Sequence, residues 1–180
     1  MATASDSGKR RMITGLFGDG DSAGRAWQAC ADRGYQIGDV NIGMSEDTRH
    51  RLFADGSEAA TVLARKKAEG GELGGPAGGR VEILVTIFAA AGAALALPGL
   101  GFVAAGPVAA ALAGAGAAGL AAGLIGALGD WGIPQERVRH YEAGIQAGGI
   151  LMMVEPRSDE DARSIQQDWN AAGGRDVWCS

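Results

Sequence analysis

The chain has 180 residues, room for one compact domain and an added segment. It carries 16 basic against 21 acidic side chains, and the net charge of −5 excludes a general attraction for nucleic acid or anionic lipid. Its two cysteines, Cys30 and Cys179, stand at no metal-ligand or redox spacing, which excludes a disulfide framework and fits a reducing compartment.

Residues 1–11 read as a solvated tail. Lys9, Arg10 and Arg11 precede an apolar stretch that stops at Phe17, with Asp19 and Asp21 close behind, so it is too short for a secretory leader. The chain is therefore expected to start in the cytoplasm.

Residues 12–45, beginning "MITGLFGDGDSAGRAWQACADRGYQ", predict the first half of a domain. A short apolar strand leads into an acidic turn, a helix ending at Gly34 and a second strand. Asp19, Asp21 and Ser22 are N-cap candidates. Ala23, Ala26, Trp27 and Cys30 repeat at helical spacing. Val40, Ile42 and Met44 then alternate with Asn41 and Gly43, as a half-buried strand does.

Residues 46–80 hold a charged helix, "EAATVLARKKAE" at 58–69, and a flexible linker, "GGELGGPAGG" at 70–79. An apolar segment follows at 81–129. From Ile83 to Gly129 there is no charge, and Thr86 is the only hydrogen-bonding side chain. "PGLG" at 98–101 breaks this run into Val81–Leu97 and Pro107–Leu128. Read as helices, these arms are about 26 Å and 33 Å long, against a hydrocarbon core of about 30 Å. The expected structure is a membrane-embedded helical hairpin in the inner membrane, with the folded domain in the cytoplasm. Arg65, Lys66, Lys67 and Arg80 before the first arm set that orientation, and Trp131 stands where an interfacial anchor would.

Glycine is the compositional outlier, 31 of 180 residues against a usual share of about 7%. In the second arm the small residues form stripes: Gly119 and Gly123 make a GxxxG pair, and Gly114, Ala118, Ala122 and Gly126 repeat at the same period. Such stripes let helix backbones approach closely in lipid, so the expected partners are the bilayer and further copies of the chain. The same arm has only six large apolar residues, a gain of about 2–4 kcal/mol on insertion. "VEILVTIF" at 81–88 is also β-branched enough for a strand. A soluble assembly burying both arms between subunits, or a self-packed core, is the alternative.

Residues 130–180 repeat the opening pattern. A helix starting at Pro134, with Val138, Tyr141 and Ile145 on one face, precedes the continuous apolar strand Ile150–Val154. Ser158 caps an acidic first turn; Ala162, Ile165, Trp169 and Ala172 line the next helix; Gly173 stops it, and Val177–Cys179 closes as a strand. Gly34 follows Ile13 by 21 positions in the first unit, and Gly173 follows Ile150 by 23 in the second. Two β-α-β units of this size predict an α+β, ferredoxin-like sandwich interrupted by the apolar hairpin.

The opening "ITGLFGDGDSAGRAWQACADRGY" and the downstream "GIPQERVRHYEAGIQAGGILMMVE", followed by a helix and a strand, resemble the heat-induced general stress protein domain family (general stress protein 17M-like) of bacteria. The resemblance covers residues 12–45 and 130–178, and the quoted motifs are structural ones. It implies a stress-induced protein with no catalytic residues to carry over, and many relatives hold a Gly/Ala-rich insertion at this place.

One stretch imitates a ligand site. "GDGDSAG", with Gly18, Gly20 and Gly24 after a strand and opening a helix, is one residue off the dinucleotide-binding spacing. Asp19 and Asp21 sit where phosphates would lie, and each carboxylate opposes an anion by about 4 kcal/mol at about 4 Å and an effective dielectric near 20. A capping turn is the reading adopted. His50 and His140 have no partner at metal-ligand spacing, and the carboxylates of "RSDEDARSIQQD" suit a helix start better than a metal. No nucleophile–base pairing is legible. The expected function is a non-enzymatic stress protein without cofactor or metal, with a soluble scaffold or a small-ligand or nucleotide sensor as alternatives.

Overall fold

The computed structural model describes residues 11–53, 95–97, 102–105, 128–129 and 131–180. The charged helix at 58–69, the linker at 70–79, and most of both apolar arms lie outside these residues. So do the small-residue positions Gly114, Ala118, Gly119, Ala122, Gly123 and Gly126.

The described elements are β1 (Ile13–Phe17), α1 (Gly20–Ala31), β2 (Val40–Ser45), α2 (Glu46–Phe53), β3 (Leu95–Leu97), β4 (Phe102–Ala105), α3 (Gln135–Gln146), β5 (Ile150–Val154), α4 (Asp159–Ala171) and β6 (Arg175–Cys179). The chain is α+β. Its strands form one sheet in the order β3-β4-β2-β5-β1-β6, every neighbouring pair antiparallel. The two β-α-β units interlock, because β5 lies between β1 and β2 while β1 lies between β5 and β6. Register runs from Ile13↔Val154 to Phe17↔Ile150 on one side of β5, and from Val40↔Val154 to Met44↔Ile150 on the other.

Local signals act where the sequence places them. Asp19 caps α1, accepting from Ser22 N at 2.7 Å, and Ser158 caps α4, accepting from Asp161 N at 3.0 Å. Gly34 and Gly173 follow these helices with φ of +77° and +94°, a left-handed turn that costs glycine nothing. Pro134 is the N-cap of α3 rather than its first helical residue, so that helix starts one residue later than its proline suggests.

Both faces of the sheet are covered. On one, α1 and α4 pack over Ile13, Phe17, Val40, Ile42, Met44, Ile150, Met152 and Val154. On the other, α3 lays Val138, Tyr141 and Ile145 over Met12, Leu16, Leu151 and Met153. A strand buried on both faces cannot alternate, which is why β5 reads as an unbroken apolar run. The helix that stood apart from the two repeats is thus the second cover of the sheet.

The apolar hairpin needs correction where it is described. Leu95–Leu97, the end of the expected first arm, is a strand and not helix, and Phe102–Ala105, which falls between the two arms, is a strand as well. They pair with each other, Leu97↔Phe102 through Leu95↔Ala104, and β4 pairs with β2, Ser45↔Phe102 through Ile42↔Ala105. The free hydrogen-bonding edge of β2 selects this extended form, since strand pairing satisfies N–H and C=O groups that would otherwise lack partners. "PGLG" at 98–101 lies outside the described residues; the strands on either side of it pair antiparallel at the sheet's edge. Leu128, the end of the second arm, is fully buried under α3 in the domain's own core. Among the described residues, no helix is long and apolar enough to cross a membrane.

Candidate functional site

The acidic turn is built as a helix cap. Asp19 Oδ1 accepts from Ser22 N and Oδ2 accepts from the Ser22 hydroxyl at 3.2 Å. The backbone bond from Ser22 is the main reason its carboxyl is held below the ordinary value. Arg25 ties the turn to α4, donating to Ser22 Oγ at 3.0 Å and to Ala172 O at 2.9 Å. Gly20 and Gly24 are buried within α1, and a Cβ on Gly18 would lie 3.2 Å from the Arg175 guanidinium. The helix N-terminus is filled by its own carboxylate, so a phosphate there would face a fixed negative charge.

A cleft of about 530 Å³ opens elsewhere, at the end of the sheet where β1 begins and β5 ends. Met12, fully buried, and Trp131, half-buried, line it. Tyr35, Gly38 and Asp39 come from the α1–β2 connection, Asn41 from β2, and Glu155, Pro156 and Arg157 from the β5–α4 connection. Arg157 is the clasp between those two connections. Its guanidinium donates to Asp39 Oδ2 at 3.0 Å and Gly34 O at 3.2 Å, and lies 4.2 Å from the centroid of the Tyr35 ring. The Arg157 backbone N–H donates to Tyr35 Oη at 2.9 Å, and Tyr35 Oη donates to Asp161 Oδ2 at 3.0 Å. Burial, above all, pushes the Tyr35 phenol above its usual pKa, keeping it a donor at neutral pH. Asp39 also accepts from Gln36 N at 2.7 Å. Asn41 is buried and donates to Met153 O at 3.4 Å. Glu155 is exposed and forms no ion pair among the described residues.

A second polar group sits over the other face. Thr14, fully buried, shares a 2.6 Å hydrogen bond with Tyr141, whose hydroxyl also reaches Asp176 O at 3.0 Å. His140 Nε2 lies 2.8 Å from Asp176 Oδ2, and Asp176 holds a φ of +53°. Sequence spacing shows no partner for His140 because the two residues are 36 apart. His50 lies 3.8 Å from Glu46 on the same helix. Neither histidine touches a nucleophilic side chain among the described contacts.

The acidic segment before and within α4 is spent on structure. Asp159 pairs with Arg11 at 2.5 Å, Asp168 with Arg33 at 2.5 Å, and Asp161 receives Tyr35. Among the described residues no three metal-ligating side chains converge. Burial pushes the Cys30 thiol up to about 12 and also raises Cys179, so neither is an activated nucleophile. Trp131 is half-buried, packing against the second core alongside Leu128 as well as lining the cleft. No family model, curated protein or solved structure matches the chain.

Proposed function

We propose that the chain is a non-enzymatic bacterial general stress response protein, a ferredoxin-like domain held at the cytoplasmic face of the inner membrane by its Gly/Ala-rich insertion. The interlocked order β2-β5-β1-β6 supports the ferredoxin-like reading. The resemblance to the heat-induced general stress protein family supports the role. The Gly114–Gly126 stripes support association with lipid and with further copies.

The observation that carries the mode of attachment is the return of the chain to the sheet at β3 and β4. With 95–97 in the sheet, the first arm retains only 81–94, about 21 Å of helix, too short for a core of about 30 Å. The second stretch leaves β4 and comes back to Leu128 in the domain core, so both its ends belong to the same side. A helical hairpin over 106–127 would reach about 15 Å, half a bilayer, and the attachment we propose is therefore entry into one leaflet rather than a span.

Cell fractionation with an alkaline carbonate wash, joined to reporters at Gly79, at Gly99 and after Trp131, tests this. Membrane retention with all three reporters cytoplasmic is the expected result. A periplasmic reporter at Gly99 would restore a spanning hairpin. A protein found wholly in the soluble fraction as an oligomer would replace the membrane by a self-assembling scaffold. Gly119→Leu with Gly123→Leu should keep membrane location and lose detergent-resistant oligomers.

A further inference from the structure

We propose that the latch between α3 and Asp176 is a guard that keeps the edge strand β6 from pairing with a second copy of the chain. β6 ends the sheet, and no described strand pairs with its outer edge. Its last three residues, Val177, Trp178 and Cys179, are apolar and half-buried, and a free strand edge of that kind is a template for edge-to-edge pairing.

The edge is not flat. Between the pairs Thr14↔Trp178 and Leu16↔Arg175, Asp176 and Val177 face Gly15 alone, so β6 carries one extra residue, a bulge. Asp176 opens that bulge with a φ of +53°, a left-handed conformation that at this place in a bulge ordinarily falls to glycine. Glycine would make the same bend; the aspartate adds a tie to α3. His140 Nε2 lies 2.8 Å from its Oδ2, and its carbonyl oxygen accepts from Tyr141 Oη at 3.0 Å and from the Arg137 guanidinium at 3.4 Å. That guanidinium also lies 5.0 Å from the centroid of the Trp178 ring. Three side chains from adjacent turns of one helix thus converge on the one non-glycine residue with positive φ among the described residues.

A bulge sharpens the local twist and breaks the row of N–H and C=O groups that a partner strand would need. The exposed Arg175 and Asp176 add charge to the same half of the strand. In a two-fold pair of β6 strands both obstacles would be met twice. Contact between copies is therefore directed away from this edge, whether or not the insertion enters lipid.

Hydrogen–deuterium exchange of the full chain in mild detergent reads this edge apart from association through the insertion, because edge pairing protects the outer amides of β6 as concentration rises. In the wild-type chain, exchange over 175–179 should not depend on concentration. Asp176→Val removes both the tie and the left-handed bend, which a β-branched residue does not adopt, and should slow that exchange about tenfold at high concentration, a pairing of roughly 1.4 kcal/mol. Asp176→Gly removes the same charge but keeps the bend, and its exchange should not depend on concentration. Arg137→Ala with His140→Ala leaves β6 itself unaltered and should show the slowing of Asp176→Val in smaller measure. Concentration-dependent protection in the wild type, none in either Asp176→Val or the Arg137–His140 variant, or equal protection in Asp176→Gly and Asp176→Val would each overturn the guard.

Discussion

Gly144 is where α3 meets the sheet most closely, and replacing it with alanine gives a test whose sign can be reversed. A Cβ there would overlap Leu16 Cδ2 and lie 3.1 Å from Cδ1 and 3.2 Å from Cγ. Leu16 is 5% exposed and belongs to the core under α3, so its methyl groups have little free space. Turning the end of the side chain would relieve one methyl but not the Cγ contact, which places the overpacking cost near the top of the usual range, about 3 kcal/mol. Alanine recovers about 1 kcal/mol over glycine in a helix interior. The net expectation is a loss of about 2 kcal/mol, a fall in melting temperature of roughly 4–8 °C for a chain of this size. In a Leu16→Ala background the obstructing atoms are gone, and Gly144→Ala should stabilise by about 1 kcal/mol, a coupling of about 3 kcal/mol. Urea unfolding followed by circular dichroism, with the four proteins compared at constant m, measures all of this. Gly149→Ala is the control. Its Cβ would meet Leu16 Cδ1 at 3.1 Å but also two backbone oxygens, Gly144 O at 2.8 Å and Phe17 O at 3.3 Å, so Leu16→Ala should relieve only the first contact and leave most of the loss in place. Stabilisation by Gly144→Ala alone, or destabilisation that persists without the Leu16 side chain, would refute this account of how α3 docks.

Two further predictions concern polar groups. Asp19→Ala should cost about 0.5–2 kcal/mol at neutral pH through loss of the cap. Because Asp19 titrates below its unfolded value of 3.8, its contribution is present above that pH and lost as pH falls through the lower folded pKa; the gap between wild type and variant should close only in strong acid, and a constant gap from pH 7 to pH 2 would sink the idea. Tyr141→Phe should cost about 1–3 kcal/mol because the buried Thr14 hydroxyl keeps only a long contact to Trp178 O at 3.4 Å, whereas adding Thr14→Val should return most of that loss; equal losses in single and double variants would count against the pairing.

Short-range chemistry was readable in the sequence. Caps, terminating glycines and the apolar face of each helix depend on residues within one turn of each other, and Asp19, Ser158, Gly34 and Gly173 act as their positions suggest. Strand neighbours were not readable. Nothing local states that β5 slips between β1 and β2, or that a helix with an ordinary apolar face covers the far side of the sheet. At 95–105 the residues are uncharged and apolar, suited to lipid, core or strand alike, and the edge of β2 that β4 pairs with decides for strand. The cleft is illegible for the same reason. Tyr35 and Asp161 are 126 residues apart, Arg157 and Asp39 are 118 apart, and only folding makes them one cluster.

The downstream block "YEAGIQAGG", part of the segment on which the proposed family reading rests, has a physical account in this arrangement. In "YEAGIQAGG", Tyr141 satisfies buried Thr14, Gly144 lets α3 approach Leu16, and Ile145 fills the core. Gly148 takes a φ of +95° to end the helix, and Gly149 passes within 2.8 Å of Gly144 O for any Cβ it might carry. Every position in that list serves the docking of one helix on one sheet face. Residues so occupied have no side chain left for a substrate, and with both sheet faces covered a partner can reach only the ends and edges of the sheet. The cleft lies at one such end, and the insertion joins the sheet at the β3–β4 edge. Mutations at Glu155 and in residues 106–127 examine these two places independently while the α3 face is left intact.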